Sequence, residues 1–199
     1  MVIKDLEIDD RLLALPYSID VNDEGQIVMT PLQGPGLTWE QLATTHPILP
    51  EDCHWKVETN RQNQIFMSPP PRFDHQAFNI EIVELLLRLM PEGRPASEAG
   101  VRTSDGTRMP DVMWLSRERF LAARGAASLS PAPEICIEIL SPRNTRREIA
   151  EKTALYFEAG ALEVWLCERN GTMRFSGPEG AIPRSRLCPE FPNRLDPFA

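Results

Sequence analysis

The run PEICIEILSP, residues 133–142, constrains the fold more than any other part of the chain. Isoleucine recurs at every second position, at Ile135, Ile137 and Ile139, which is the two-residue period of a strand with one buried face. Glu134, Cys136, Glu138 and Leu140 then share the opposite face. A helical pattern follows, from Thr145 to Ala159 and ended by Gly160, and after it a second strand pattern, EVWLCER. Strand, helix and strand in close succession predict a right-handed crossover and at least one parallel pair. An unpaired buried carboxylate is costly, so Glu138 has to be solvated, matched by a cation or bound to a metal. An open sheet face would satisfy it, but would expose Cys136 and Leu140 alongside.

The first half of the chain is different in kind. QIVMTP at 26–31 and QIFMSP at 64–69 each read as the second arm of a hairpin, with Gly25 and Asn63 at the turn positions that favour a left-handed residue. They are expected as two similar hairpins of one sheet rather than a repeat. Between them TWEQLA predicts a short helix with a capping box, Thr38 with Gln41. A long helix is predicted from Asp74 to Met90, with Asp74 as N-cap, Phe73 and Phe78 as a hydrophobic staple, and an apolar stripe through Phe78, Ile82, Leu85, Leu86 and Leu89. Two strands, ASEAGVRT and PDVMWLS, flank the turn SDGT. RERFLAARGAASLSPAP starts as a short helix and continues as flexible surface, and the tail adds one or two short strands. Hairpins followed by a crossover predict an α/β chain of the mixed α+β kind, not a doubly wound sheet. The expected division is an arm at 1–48, holding the first hairpin and short helix, and a domain at 49–199.

Composition narrows the function. With 199 residues, 42% hydrophobic and 25% charged, the chain suits one soluble domain with its own core. No apolar run approaches the roughly 18 residues of a membrane helix, and the acidic start MVIKDLEIDD is unlike a signal peptide, so a cytoplasmic protein is expected. Cys53, Cys136, Cys167 and Cys188, and His46, His54 and His75, are too dispersed for a zinc site. A net charge of −8 argues against nonspecific coating of nucleic acid. The densest basic group is Arg143, Arg146 and Arg147. Without G-x-S-x-G, and with no histidine near a nucleophile in sequence, ester hydrolysis is disfavoured.

Two further features accompany Glu138. In RMPDVMWL, Asp111 opens an apolar strand; if that strand neighbours EICIEIL, the two acids converge and repel unless a proton or cation lies between them. Oxygen-rich sites of this kind select magnesium or manganese. On the following helix, Glu148, Lys152 and Tyr156 fall on one side, a spacing that equally describes an ordinary exposed Glu–Lys pair.

The proline–aspartate strand, the E-x-L-S-P strand, the arginines, the acid and lysine one turn apart, the aromatic residue, the glycine and EVWL together resemble the Uma2 family of restriction endonuclease-like proteins, within the PD-(D/E)XK nuclease superfamily. The resemblance runs from about Leu49 to Arg169 and includes LPEDCHWKVETNRQNQIFMSPPPRFDHQ. It implies a restriction endonuclease-like core extended by an N-terminal hairpin, and Mg2+ or Mn2+ as cofactor, held by Asp111, Glu138 and the backbone carbonyl of Ile139. The superfamily's lysine lies two residues after the second acid, where this chain has Leu140; the Uma2-like pattern moves it to Lys152, accompanied by Glu148. The implied reaction is phosphodiester hydrolysis in nucleic acid, with DNA expected, Lys152 orienting or deprotonating the attacking water, and Arg143, Arg146 or Arg147 holding flanking phosphates. His75 would reach the mouth of the site, and Glu81 is favoured over Glu84 as an acid on the first core helix. The competing expectation is an inactive nuclease fold serving as a binding or assembly module, with the hairpin at 17–31 available to pair in a homodimer.

Overall fold

The computed structural model describes residues 16–44 and 55–199. Cys53, His46, His54 and the start of the predicted arm lie outside them. The architecture is mixed α+β. The two hairpins, β1 (Tyr17–Val21) with β2 (Ile27–Pro31) and β3 (Lys56–Thr59) with β4 (Ile65–Ser68), join as one antiparallel sheet in the order β1-β2-β4-β3. Gly25 (φ 73°) and Asn63 (φ 55°) make the left-handed turns that their positions require. Tyr17, Ile27, Met29, Val57, Ile65 and Met67 form the core of this sheet. Against it packs α1 (Trp39–Thr44), capped as expected: the Thr38 amide donates to Gln41 Oε1 at 2.8 Å and the Gln41 amide to Thr38 Oγ1 at 3.3 Å.

The second sheet has six strands in the order β12-β11-β10-β9-β8-β5: β5 (Gly93–Ser97), β8 (Val112–Ser116), β9 (Ile135–Ile139), β10 (Glu163–Cys167), β11 (Met173–Gly177) and β12 (Gly180–Ile182). β9 and β10 are its parallel pair, joined through α4 (Arg146–Glu158). Thr145 caps α4 by accepting the Glu148 amide at 3.2 Å, and Gly160 (φ 101°) follows its end. The alternation in EICIEIL divides the core. Ile135, Ile137 and Ile139 meet Phe78, Ile82 and Leu86 of α2 (Phe73–Leu89), while Cys136 meets Tyr156 of α4. No described helix is long and apolar enough to cross a membrane.

Four local expectations are corrected. Helix α2 begins one residue earlier than predicted: Arg72, extended and without a side-chain cap bond, precedes it, and Asp74 sits in the first turn, where its charge suits the helix dipole. As part of the helix, Phe73 cannot staple Phe78; it is 76% exposed, with its ring 6.3 Å from that of Phe198. ASEAGVRT is not one strand: Glu98, at φ 54°, ends β5, and β6 (Val101–Thr103) turns away to pair with β7 (Gly106–Arg108). The segment after α3 (Arg117–Ala122) is tied down rather than loose. Trp39 Nε1 donates to the Ala127 carbonyl at 2.7 Å, and the Leu129 amide to Gly100 at 2.7 Å.

Candidate active site

β8 and β9 are antiparallel neighbours with Val112 opposite Ile137, so Asp111 falls opposite Glu138, one step beyond that pair. The Asp111 amide donates to the Ile137 carbonyl at 3.1 Å, and Asn79 of α2 donates to the Asp111 carbonyl at 3.1 Å. Both carboxylates are buried, at 8% and 5% exposure.

Each carboxylate has one oxygen anchored by the fold and one turned towards a common point. Asp111 Oδ2 accepts the Ile139 amide at 2.8 Å and lies 3.2 Å from His75 Nε2. Glu138 Oε1 accepts the Tyr156 hydroxyl at 2.6 Å and lies 3.7 Å from Lys152 Nζ. The other two oxygens face one ammonium: Lys56 Nζ is 2.8 Å from Asp111 Oδ1 and 3.7 Å from Glu138 Oε2. A third acid completes the cluster. Glu58 Oε1 lies 2.9 Å from Lys152 Nζ and accepts the Met109 amide at 2.9 Å.

Burial and charge act against one another here. Burial pushes the Asp111 carboxyl up, but Lys56 and His75 outweigh it and hold the group well below the usual carboxylate range. Glu58 is likewise lowered, as Lys152 and Lys56 overcome burial. Glu138 goes the other way: burial dominates, Asp111 and Glu58 add repulsion, and its carboxyl is raised despite the two lysines. Burial would lower Lys152, yet Glu138 and Glu58 raise it, so it keeps its proton.

Lys152 thus joins the two acids, through Glu138 and Glu58, and His75 reaches Asp111. Glu148 lines a cleft of about 750 Å³ with Lys152 and Glu58, and Asn144 donates to it at 3.4 Å. The arginines do not converge on the acids. The Arg143 guanidinium lies over Gly25, Arg146 is exposed, and Arg147 pairs at 3.7 Å with Glu151 on the rim of the cleft. Glu81 turns to the tail, where it accepts the Asp196 amide, and Glu84 is exposed. The stripe through Phe78 and Ile82 faces the sheet, so Glu81 stands at its flank, whereas Asn79 and His75 point to Asp111.

Sequence reasoning missed Lys56 and Glu58. They lie two residues apart on one face of β3, opposite the core residue Val57. A lysine and an acid on the same face of a strand was the available signal, but in a hairpin it reads as solvated surface.

The donor chemistry fits a divalent ion. Asp111 Oδ1 and Glu138 Oε2 are hard oxygens already aimed at one cation position, and such sites suit Mg2+ or Mn2+. Among the described residues no group of three or more His, Cys, Asp or Glu side chains forms a metal cage, so remaining ligands would come from backbone, water or substrate, as magnesium tolerates.

Comparison with known proteins bears on the fold and the family. The chain is similar to a solved structure described as a putative nuclease belonging to DUF820 from Anabaena variabilis ATCC 29413, with a TM-score of 0.64 and 20% identity over 81% of this chain and 95% of that one. At that identity the likeness is one of fold. Curated proteins give no match. The model of the Uma2 family, described as "Putative restriction endonuclease", matches residues 39–190, a span that contains β3, β8, β9 and α4 with all five charged residues of the cluster. The chain belongs to the Uma2 family.

Proposed function

We propose that this protein is a metal-dependent nuclease that hydrolyses phosphodiester bonds, with DNA as substrate, on the plan of the PD-(D/E)XK superfamily. The carrying observation is the meeting of three residues that are distant in sequence: Asp111 opposite Glu138, with the Lys152 ammonium 3.7 Å from Glu138. Asp111 and Glu138, with the Ile139 carbonyl as a further donor, would hold Mg2+ or Mn2+. The ion would supply an acidified water and offset charge on the phosphate in the transition state. Lys152, charged and held by Glu58, is a donor rather than a base and would orient that water or the scissile phosphate. Tyr156 and the Ile139 amide fix the two carboxylates, so these acids are oriented before substrate arrives.

A second reading has one observation in its favour. The cleft beside Lys152 is lined by Glu24, Glu58, Asp105, Glu148, Glu151 and Glu158 against Arg108, Arg147 and Lys152, an acid excess that repels a phosphate backbone. An inactive fold binding another protein would carry such a cleft. Calorimetric titration of Mg2+ and Mn2+ into wild type, Asp111→Asn and Glu138→Gln, followed by cleavage assays on plasmid, single-stranded DNA and RNA, separates the readings. Metal binding lost in both variants, with metal-dependent cleavage by wild type alone, supports the nuclease. Metal binding without cleavage of any substrate favours the binding module.

A further inference from the structure

Lys56 holds the position that the proposed ion needs. Its ammonium lies 2.8 Å from Asp111 Oδ1 and 3.7 Å from Glu138 Oε2, and these are the two oxygens that the fold leaves uncommitted, the others being taken by Ile139, His75, Tyr156 and Lys152. A divalent ion and this ammonium cannot both occupy the point, since like charges so close in a buried setting repel strongly.

Charge balance says which of them leaves. Three carboxylates, Glu58, Asp111 and Glu138, face two ammonium groups, Lys56 and Lys152. Counting the carboxylates, the ammonium groups and the ion alone, three negative charges meet three positive ones with a divalent ion in place of Lys56, and four positive ones with Lys56 retained. Lys152 does not take this part, because it faces Glu58 Oε1 and Glu138 Oε1 rather than the Oδ1 and Oε2 pair. Lys56 has somewhere to go: it also lines a recess of about 480 Å³ together with Trp55, Pro70, Pro71, Gln76 and Glu98.

We infer that Lys56 is a tethered counter-ion which a divalent metal displaces from between Asp111 and Glu138 into the adjoining recess, where the released ammonium binds the phosphate of the substrate. This rests on the metal-dependent reading and adds a coupling to it: without a phosphate the ion must compete with Lys56, and with one the displaced lysine has a new partner. Metal and phosphate then bind with positive cooperativity, which keeps the carboxylates neutralised while no substrate is present.

The test is Mn2+ affinity, read by calorimetry on wild type and Lys56→Met, each with and without thymidine 5′-monophosphate. Lys56→Met is expected to bind Mn2+ about tenfold tighter than wild type when no nucleotide is present. The nucleotide should tighten Mn2+ binding to wild type and leave Lys56→Met unchanged. Thermal unfolding with and without Mn2+ gives a second readout, a larger metal-induced rise in Tm for the variant, and Lys56→Gln serves as an alternative neutral side chain if the methionine chain does not fold. Equal or weaker Mn2+ binding by the neutral variants overturns the inference and leaves the nuclease reading standing. Nucleotide tightening of the same size in both chains overturns the phosphate role. No binding of Mn2+ to any chain, with nucleotide present, overturns the inference together with the metal-dependent reading beneath it.

Discussion

The Lys152 ammonium lies 2.9 Å from Oε1 of Glu58, a residue 94 positions earlier, and so fastens α4 to the second hairpin. Both side chains are about nine-tenths buried. Removing one partner strands a charge away from water, which costs about 3 kcal/mol or more, whereas removing both leaves only Glu138 short of a cation. Lys152→Met is therefore expected to be markedly less stable than wild type, and Lys152→Met with Glu58→Gln to recover part of the loss. Urea unfolding of the two single variants and the double variant reads the coupling directly.

The Tyr156 hydroxyl donates to Glu138 Oε1 at 2.6 Å inside the core beneath α4. Hydrogen bonds to charged groups contribute about 1.5 to 3 kcal/mol, and this one also fixes the rotamer that presents Oε2 to the site. Tyr156→Phe should lower stability by about 2 kcal/mol and weaken Mn2+ binding while leaving the fold intact. Unchanged circular dichroism, a lower urea midpoint and a weaker Mn2+ isotherm are the expected results.

The acids divide by sign in their response to pH. Asp111 is held below its ordinary value of 3.8, so its contribution to stability is fully present above that value and is lost as pH falls through the lower folded value. Glu58 has the same sign. Glu138 is raised above its ordinary 4.5, so what it contributes is present below that value and is lost as pH rises through the folded one. Between about pH 5 and pH 2 the urea midpoint of wild type should fall more steeply than that of Asp111→Asn, which lacks the titrating group. Parallel curves for the two chains would show that Asp111 does not carry this part of the acid sensitivity.

What the sequence made legible follows from contrast. Glu138 among isoleucines and Asp111 at the head of VMWL interrupt an apolar pattern, and burial gives each interruption a cost that demands a reason, whereas Lys152, four residues after Glu148, reads as half of an ordinary exposed pair and stands out only through the resemblance to the Uma2 family. Lys56 and Glu58 interrupt nothing. In WKVETNRQNQIFM, polar residues alternate with apolar ones as in any hairpin with one wet face; that this face lies against α4 and β9 is set by long-range packing. The same limit explains Phe73 and Glu98. A staple depends on where the helix starts, and a single left-handed residue redirected a strand that the residue pattern reads as continuous.

The cysteines give an independent check on the core. Burial is the first cause that pushes the Cys167 thiol up to about 12, and burial likewise raises the Cys136 thiol well above its ordinary value, with Glu138 adding to it. Neither thiol is exposed. At about pH 8, Cys136 and Cys167 should resist alkylation in the folded chain and react once it is unfolded, as read by peptide mapping after iodoacetamide treatment. Fast reaction of either in the native protein would contradict the packing of β9 against β10.

Gly106, which opens β7 after the turn from β6, lies against the strand that carries Lys56 and Glu58. It has φ 84°, and a Cβ there would collide with the Thr59 carbonyl. The same small hairpin grips β3 through the Thr107 amide, which donates to Thr59 Oγ1 at 3.1 Å, and through Arg108, which donates to the Thr59 carbonyl. Gly106→Ala therefore combines left-handed strain with a backbone clash and should cost well over about 1 kcal/mol. Gly125 is the matched control, with φ 77° and open space where a Cβ would stand, so that Gly125→Ala carries the strain alone. If β3 is positioned through this contact, Gly106→Ala will weaken Mn2+ binding as well as stability, because Lys56 and Glu58 move with Thr59, and Gly125→Ala will lower stability slightly with no effect on the metal. Equal losses in the two variants would mean that the small hairpin does not position the site.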